Sequence, residues 1–404
     1  MYLDANATSR LRPEAIASLR WLLDHEASIG NASSVHRHGR NAKSLLEQAR
    51  ASVLSLLFQG KTYKQAKLVF TSGGSEACNQ LVFGFLASYQ KYPAHVVCSA
   101  IEHPAILSCM DELKAHGWKV SFVNPESNGI VSKEAVLSAL SSDTALVCLM
   151  SANNETGALQ PVVEIAQAVR EKAPQAAIIS DCTQSISKSA FDLTKLFQAG
   201  VTAVALSAHK LGAPVGVGAF VLNTDESICH SFLARITGGP QEGRYRAGTE
   251  NLSAIIAFGA VAKKLLEVGA EEQEKNQSLR ELLWNSLSTR LDSITRLTPE
   301  PKVALSNTLL VSFSGIRGDD LVVALDLRGI SVSTGSACAS GKQEASHVVQ
   351  AMGFSKTQAR EVVRFSLDWD ASEVEILSVA SVVCELVTLM RSNEKLEAFS
   401  GGAA

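Results

Sequence analysis

The sequence lacks any C-x-x-C pair and any cysteine–histidine cluster with zinc-ligand spacing, so no metal site is expected. It lacks an excess of either charge: 37 Lys and Arg stand against 40 Asp and Glu, for a net charge of −3. That leaves no basic footprint for nucleic acid. A long hydrophobic run is also missing. The apolar stretch 254–262 is closed by Lys263 and Lys264 and falls short of the roughly 20 residues a bilayer requires, so no membrane partner is expected. The opening Met1-Tyr2-Leu3-Asp4 has no basic and no apolar leader region, which predicts no signal peptide. A reducing, cytoplasmic setting suits the cysteines, several of which sit in apolar runs and read as small buried hydrophobes. What is present is a core: 46% of the 404 residues are apolar and 19% are charged. At roughly 150 residues per domain, the length suggests two or three domains.

The first two thirds of the chain alternate short apolar runs, at 68–70, 95–98, 120–123, 145–150, 176–179, 203–206 and 219–222, with helical patterns such as 102–116, 133–140 and 163–172. That alternation predicts an α/β fold with a mostly parallel central sheet flanked by helices. A long helical stretch, 251–291, then leads to strand-like runs at 308–313, 330–333 and 362–367, which predict a smaller α+β domain.

In an open parallel sheet, ligands bind beyond the carboxyl ends of the strands. Polar groups follow five of the runs. Thr71-Ser72-Gly73-Gly74-Ser75-Glu76 reads as a phosphate cradle opening a helix, or as a plain glycine turn. Glu102-His103 offers a ring that stacks or moves protons, or an ordinary loop histidine. Asn153-Asn154-Glu155 and Asp181-Cys182-Thr183-Gln184 come next; Asp181 suits a pyridine nitrogen, or a helix N-cap. Ser207-Ala208-His209-Lys210 ends the series, with Lys210 either a desolvated nucleophile or a lysine snorkelling to the rim. Each plain alternative is reasonable alone. Together the set matches what pyridoxal phosphate needs: a phosphate site, a carboxylate for the ring nitrogen and a lysine for the carbonyl.

These segments, with 2–8, Gly30-Asn31, 246–251, 306–308, 333–338 and 364–367, resemble the cysteine desulfurases of the NifS/IscS group, class V aminotransferase-like enzymes of fold-type I. The resemblance runs over nearly the whole chain. It implies a large cofactor-binding domain over 16–254, and a small domain from 1–15 and 255–404 that carries a mobile cysteine loop. It implies that Lys210 holds pyridoxal 5'-phosphate, that Gly74, Ser75, Ser207 and His209 bind its phosphate, and that Asp181 and Gln184 meet its ring nitrogen and phenolic oxygen. His103 would stack on the ring. Thr249 would reach the cofactor of a neighbouring subunit, making the enzyme a homodimer. Asn154 and Arg364 would hold the substrate carboxylate, a task suited to the arginine fork; a structural ion pair is the other reading of Arg364.

Cys338 lies in the small-residue run Gly335-Ser336-Ala337-Cys338-Ala339-Ser340-Gly341. By the same resemblance it takes the sulfur of L-cysteine as a persulfide, leaves L-alanine and passes the sulfur to an acceptor protein or iron–sulfur scaffold. In the implied reaction Lys210 removes the Cα proton and His103 manages protons at the sulfur. A selenocysteine lyase or another class V enzyme is the alternative. The sequence departs from the group's pattern at Ala32, where proline is usual, at Gly243-Arg244, whose order is reversed, and at Asp368-Trp369, where Gly-Arg is common.

Overall fold

The computed structural model describes residues 1–87, 89, 94–335 and 345–401, and for residues 230 and 393–401 the backbone alone. The apolar runs of the first two thirds become seven strands: β1 Ala66–Thr71, β2 His95–Ser99, β3 Lys119–Val123, β4 Thr144–Cys148, β5 Ala177–Asp181, β6 Ala203–Ser207 and β7 Gly218–Asn223. They form one sheet in the order β1-β7-β6-β5-β4-β2-β3. The run β6-β5-β4-β2-β3 is parallel. β7 lies antiparallel between β6 and β1. β1 therefore points the same way as β6, and the carboxyl ends of β1, β2, β4, β5 and β6 share one edge.

Every residue of β4, β6 and β7 is buried, as expected of strands covered on both faces. Successive side chains enter opposite cores. Leu68 and Phe70 of β1, with Val204 and Leu206 of β6, join the core beneath the helices Arg37–Leu57 and Leu252–Ser288. Val69, Ala203 and Ala205 join the other, beneath the helices Gly74–Leu86 and Pro104–Ala115. His36, Arg37, His38 and Arg40, a basic group at the start of the helix Arg37–Leu57, are exposed.

A second sheet, β8 Ile294–Arg296, β9 Thr308–Phe313 and β10 Val362–Ser366, is antiparallel in the order β10-β9-β8. Its core takes Leu279, Leu283 and Leu287 from the far half of the helix Leu252–Ser288, whose first half packs on the large sheet. The expected strand at 330–333 is reduced to single bridges, Ser331 with Tyr2 and Ser333 with Arg364. The N-terminal segment is the reason: Leu3 N donates to Ser331 O at 2.9 Å, and Ala5 N donates to Ser366 O at 3.0 Å. Residues 1–5 thus thread between that segment and β10, and deliver Asp4 and Asn6 to the sheet edge. Among the described residues, no helix is long and apolar enough to cross a membrane, and no group of three His, Cys, Asp or Glu is placed to hold a metal ion.

The helix pair on the large sheet gives a stability test. A Cβ at Gly259 would come within 2.6 Å of Ala49 Cα, whereas one at Gly269 on the same helix would meet nothing within 4 Å. Gly259→Val is expected to lose about 1–3 kcal/mol through overpacking. Gly269→Ala is expected to gain up to about 1 kcal/mol through helix propensity. Urea unfolding of the two variants beside the parent measures both.

Candidate active site

The shared strand edge opens into a cleft of about 1010 Å³. Of the residues singled out from the sequence, Gly74, Ser75, His103, Asn154, Asp181, Gln184, Ser207, His209, Lys210 and Arg364 all line it. Asp319, Val322 and Val323, from the helix Gly318–Asp326 of the smaller unit, form its opposite wall. Thr249 is exposed and does not line the cleft of its own chain. Cys338 lies outside the described residues, although Gly335, just before it, lines the cleft.

One end of the cleft is an anion cradle. The helix Gly74–Leu86 begins after Gly73 with no side chain capping it, so its first N–H groups face the cleft unclaimed. A Cβ at Gly74 would stand 3.1 Å from Ser207 Cβ and 3.5 Å from Thr183 Oγ1, so glycine is what keeps this floor open. Thr183 Oγ1 is buried with no hydrogen-bond partner among the described residues. His209 Nδ1 lies 3.0 Å from Thr8 Oγ1. Burial, then Lys210, Lys188 and His103, push its pKa down to about 4, so it offers a neutral ring. Uncapped helix N–H groups, a glycine floor, two hydroxyls and a neutral histidine suit a phosphate.

Lys210 sits beyond β6 and donates to the backbone carbonyls of Asn6 at 2.7 Å and Ala7 at 2.6 Å. Burial, followed by the charge of Arg364, lowers its pKa to about 8. Such an amine is far closer to a free nucleophile at neutral pH than a solvated lysine at ~10.4. Asp181 Oδ1 accepts from Thr183 N at 2.9 Å, bracing a turn and not the helix start that was its other reading, and Oδ2 has no partner among the described residues. Gln184 Nε2 donates to Asn6 O at 3.0 Å. The cradle, the free carboxylate oxygen and the lowered lysine therefore fit pyridoxal phosphate on geometry and charge.

His103 caps the helix Pro104–Ala115, its Nδ1 accepting from Ala105 N at 3.1 Å. The ring proton is thereby fixed on Nε2, the nitrogen left to exchange protons. Burial lowers the His103 pKa, with Lys210 and His347 adding to the effect against Asp181. Behind it Glu102 Oε1 accepts from Ser99 Oγ and Met150 N, both at 2.6 Å, which ties the loop after β2 to the end of β4. Burial raises the Glu102 pKa to about 7.

Arg364, 3% exposed on β10, does form the ion pair that was its other reading: Nη2 lies 2.6 Å from Asp4 Oδ1, and Nη1 donates to Asn154 O at 2.9 Å. Both contacts leave donors over, and Nε is buried without a partner among the described residues. The fork is held in place with a donor to spare for a carboxylate.

Four residues escaped individual assignment from the sequence: Asp4, Asn6, Thr183 and Lys188. Asn6, 2% exposed, is a hub. Its carbonyl serves Lys210 and Gln184, Nδ2 donates to Asn154 O and Thr308 Oγ1, and Oδ1 accepts from Asn307 and Lys188. Only the spacing of Gln184 and Lys188, four apart after a strand, offered a local signal for the last of the four.

The aminotransferase class-V family model matches residues 1–379. Cysteine desulfurase 2 of Trichormus variabilis is 33% identical over 392 residues, covering 97% of this chain and 94% of its own. The cysteine desulfurase IscS of an Anaeromyxobacter species is 34% identical over 397 residues, covering 98% and 94%. A solved NifS-like protein superposes with a TM-score of 0.86 at 30% identity, over 96% of this chain and 99% of that one.

The Lys210 environment sets a pH test. In the protein freed of any bound aldehyde, reductive labelling of Lys210 is expected to reach half its plateau near pH 8, where its pKa lies. Arg364→Gln removes the main lowering charge and is expected to move that midpoint upward. Mass spectrometry of the Lys210 peptide across pH reads both.

Proposed function

From the premise that this chain belongs to the class-V aminotransferase family as a pyridoxal phosphate-dependent cysteine desulfurase, we propose that its cleft converts L-cysteine to L-alanine and leaves the sulfur on Cys338. The supporting observation is the half-buried Lys210 amine, held among the described residues by carbonyls between an anion cradle and the free oxygen of Asp181. Pyridoxal phosphate, when bound, supplies an electron sink at its ring. Lys210 would tether it. Gly74, Ser75, Ser207 and His209 would hold the phosphate, Asp181 would keep the ring nitrogen protonated, Gln184 would donate to the ring oxygen, and His103 would stack on the ring.

The substrate carboxylate is taken by the spare donors of Arg364 and by the Asn154 side chain. Asp4 keeps the arginine fork from turning away. Lys210 Nζ accepts the Cα proton and returns a proton to the product. His103 exchanges protons at Nε2, because Nδ1 is occupied. The Cys338 sulfur then bonds to the substrate sulfur as the carbon–sulfur bond breaks. Thiol plus L-cysteine gives persulfide plus L-alanine, so atoms and electrons balance with no outside oxidant. The acceptor of that sulfur is a protein thiol or an iron–sulfur scaffold. Thr249, exposed and outside the lining of its own cleft, completes the phosphate site of a second copy in a homodimer, and the setting is the cytoplasm.

Incubation with L-cysteine is expected to add one sulfur to the Cys338 peptide by mass spectrometry. Cys338→Ser is expected to lose that mass and to slow sulfur delivery by about a hundredfold or more. Borohydride should fix the cofactor to Lys210. An added sulfur on another peptide, or normal delivery by Cys338→Ser, rules the assignment out.

A further inference from the structure

Lys188 is a buried group to which the proposed reaction gives no task. It is 8% exposed and stands in the turn that follows β5. Its Nζ donates to Gln184 Oε1 at 2.7 Å and to Asn6 Oδ1 at 3.2 Å. Taking an amine out of water is unfavourable unless polar partners receive it, and both partners here belong to the cleft wall. Burial, then the charge of Lys210, lowers its pKa to about 7; Arg364 lowers it further and Asp368 opposes. Local backbone places the residue deliberately. Ser187 takes a left-handed φ of 60°, uncommon outside glycine, and the Lys188 carbonyl accepts from Ser306 N at 2.9 Å.

The consequence falls on Gln184. An amide has an accepting end and a donating end, and Lys188 Nζ, which also meets Asn6 Oδ1, is placed as the donor to Oε1. Lys188 therefore fixes Oε1 on its own side. Nε2 is left facing Asn6 O, the same carbonyl that receives Lys210 Nζ. The Gln184 donor is thus aimed at the place where Lys210 carries its charge. Donation into Oε1 also polarises the amide and strengthens Nε2 as a donor. Asn6 cannot turn to relieve this arrangement, because its Nδ2 is committed to Asn154 O at 3.1 Å and Thr308 Oγ1 at 2.8 Å.

Resting on the cofactor reading above, we propose that Lys188 is a positioning residue that holds the Gln184 amide with its N–H toward the ring oxygen of the cofactor on Lys210. A firm donor at that oxygen draws electron density from it. The neighbouring nitrogen that links Lys210 to the cofactor then holds its proton less tightly.

The test is a pH titration of the visible absorption band of the loaded protein. Lys188→Met is expected to raise the midpoint by about one unit, a tenfold gain in proton affinity. Gln184→Leu is expected to raise it comparably, and the double variant to go no further. Lys188→Arg, which keeps a donor, is expected to titrate near the parent. A Lys188→Met protein that titrates like the parent overturns the proposal. So does a double variant in which the two shifts add in full, or a Lys188→Arg shift as large as that of methionine. Should the methionine variant not fold, Lys188→Leu, which also lacks a donor, is titrated in its place with the same outcomes. A parent with no band that borohydride fixes to Lys210 removes the cofactor reading itself, and this proposal with it.

Discussion

Two backbone carbonyls hold the Lys210 ammonium where a carboxylate would ordinarily be found. Carbonyls give hydrogen bonds but no countercharge, so burial and the cation of Arg364 prevail and the proton is loosely kept. A direct ion pair would have held that proton tightly and left an inert lysine. The rest of the cleft follows from this constraint. The N-terminal segment must run past the end of β6 to present those carbonyls. Residues 1–5 must then be gripped by β10 and the Ser331 segment to stay there.

Asn6 converts that grip into a connection between the two sheets. Its side chain reaches Thr308 and Asn307 at the start of β9 and Asn154 beyond β4, while its carbonyl reaches Gln184 and Lys210 beyond β5 and β6. A buried polar cluster of this kind stabilises the fold only when its members are paired. Two of the unpaired atoms near it, Thr183 Oγ1 and Arg364 Nε, belong to residues that line the cleft. Those two unmet hydrogen bonds lie where a bound molecule can meet them.

Local pattern made much of this legible. The seven strands of the large sheet lie within or beside the apolar runs because buried parallel strands are continuous hydrophobic text. The polar groups that follow them mark the edge because strand direction is shared. Long-range pairing was not legible. The Arg364–Asp4 contact spans 360 residues, and the N-terminal thread that reduced the expected strand at 330–333 spans 328 between Leu3 and Ser331. β8 is three residues long and only partly buried, too short to carry a period. Lys188 was missed because a lysine in a turn normally reads as solvated, and its partner Asn6 lies 182 residues away in sequence.

The helix Leu252–Ser288 is 37 residues long, about 55 Å at 1.5 Å per residue. Its first half seals one hydrophobic interior and its second half another. A single unbroken rod therefore serves as a shared beam. A nick anywhere along it would expose apolar surface on both sides, and neither half of the molecule, expressed alone, would have a closed interior to fold around.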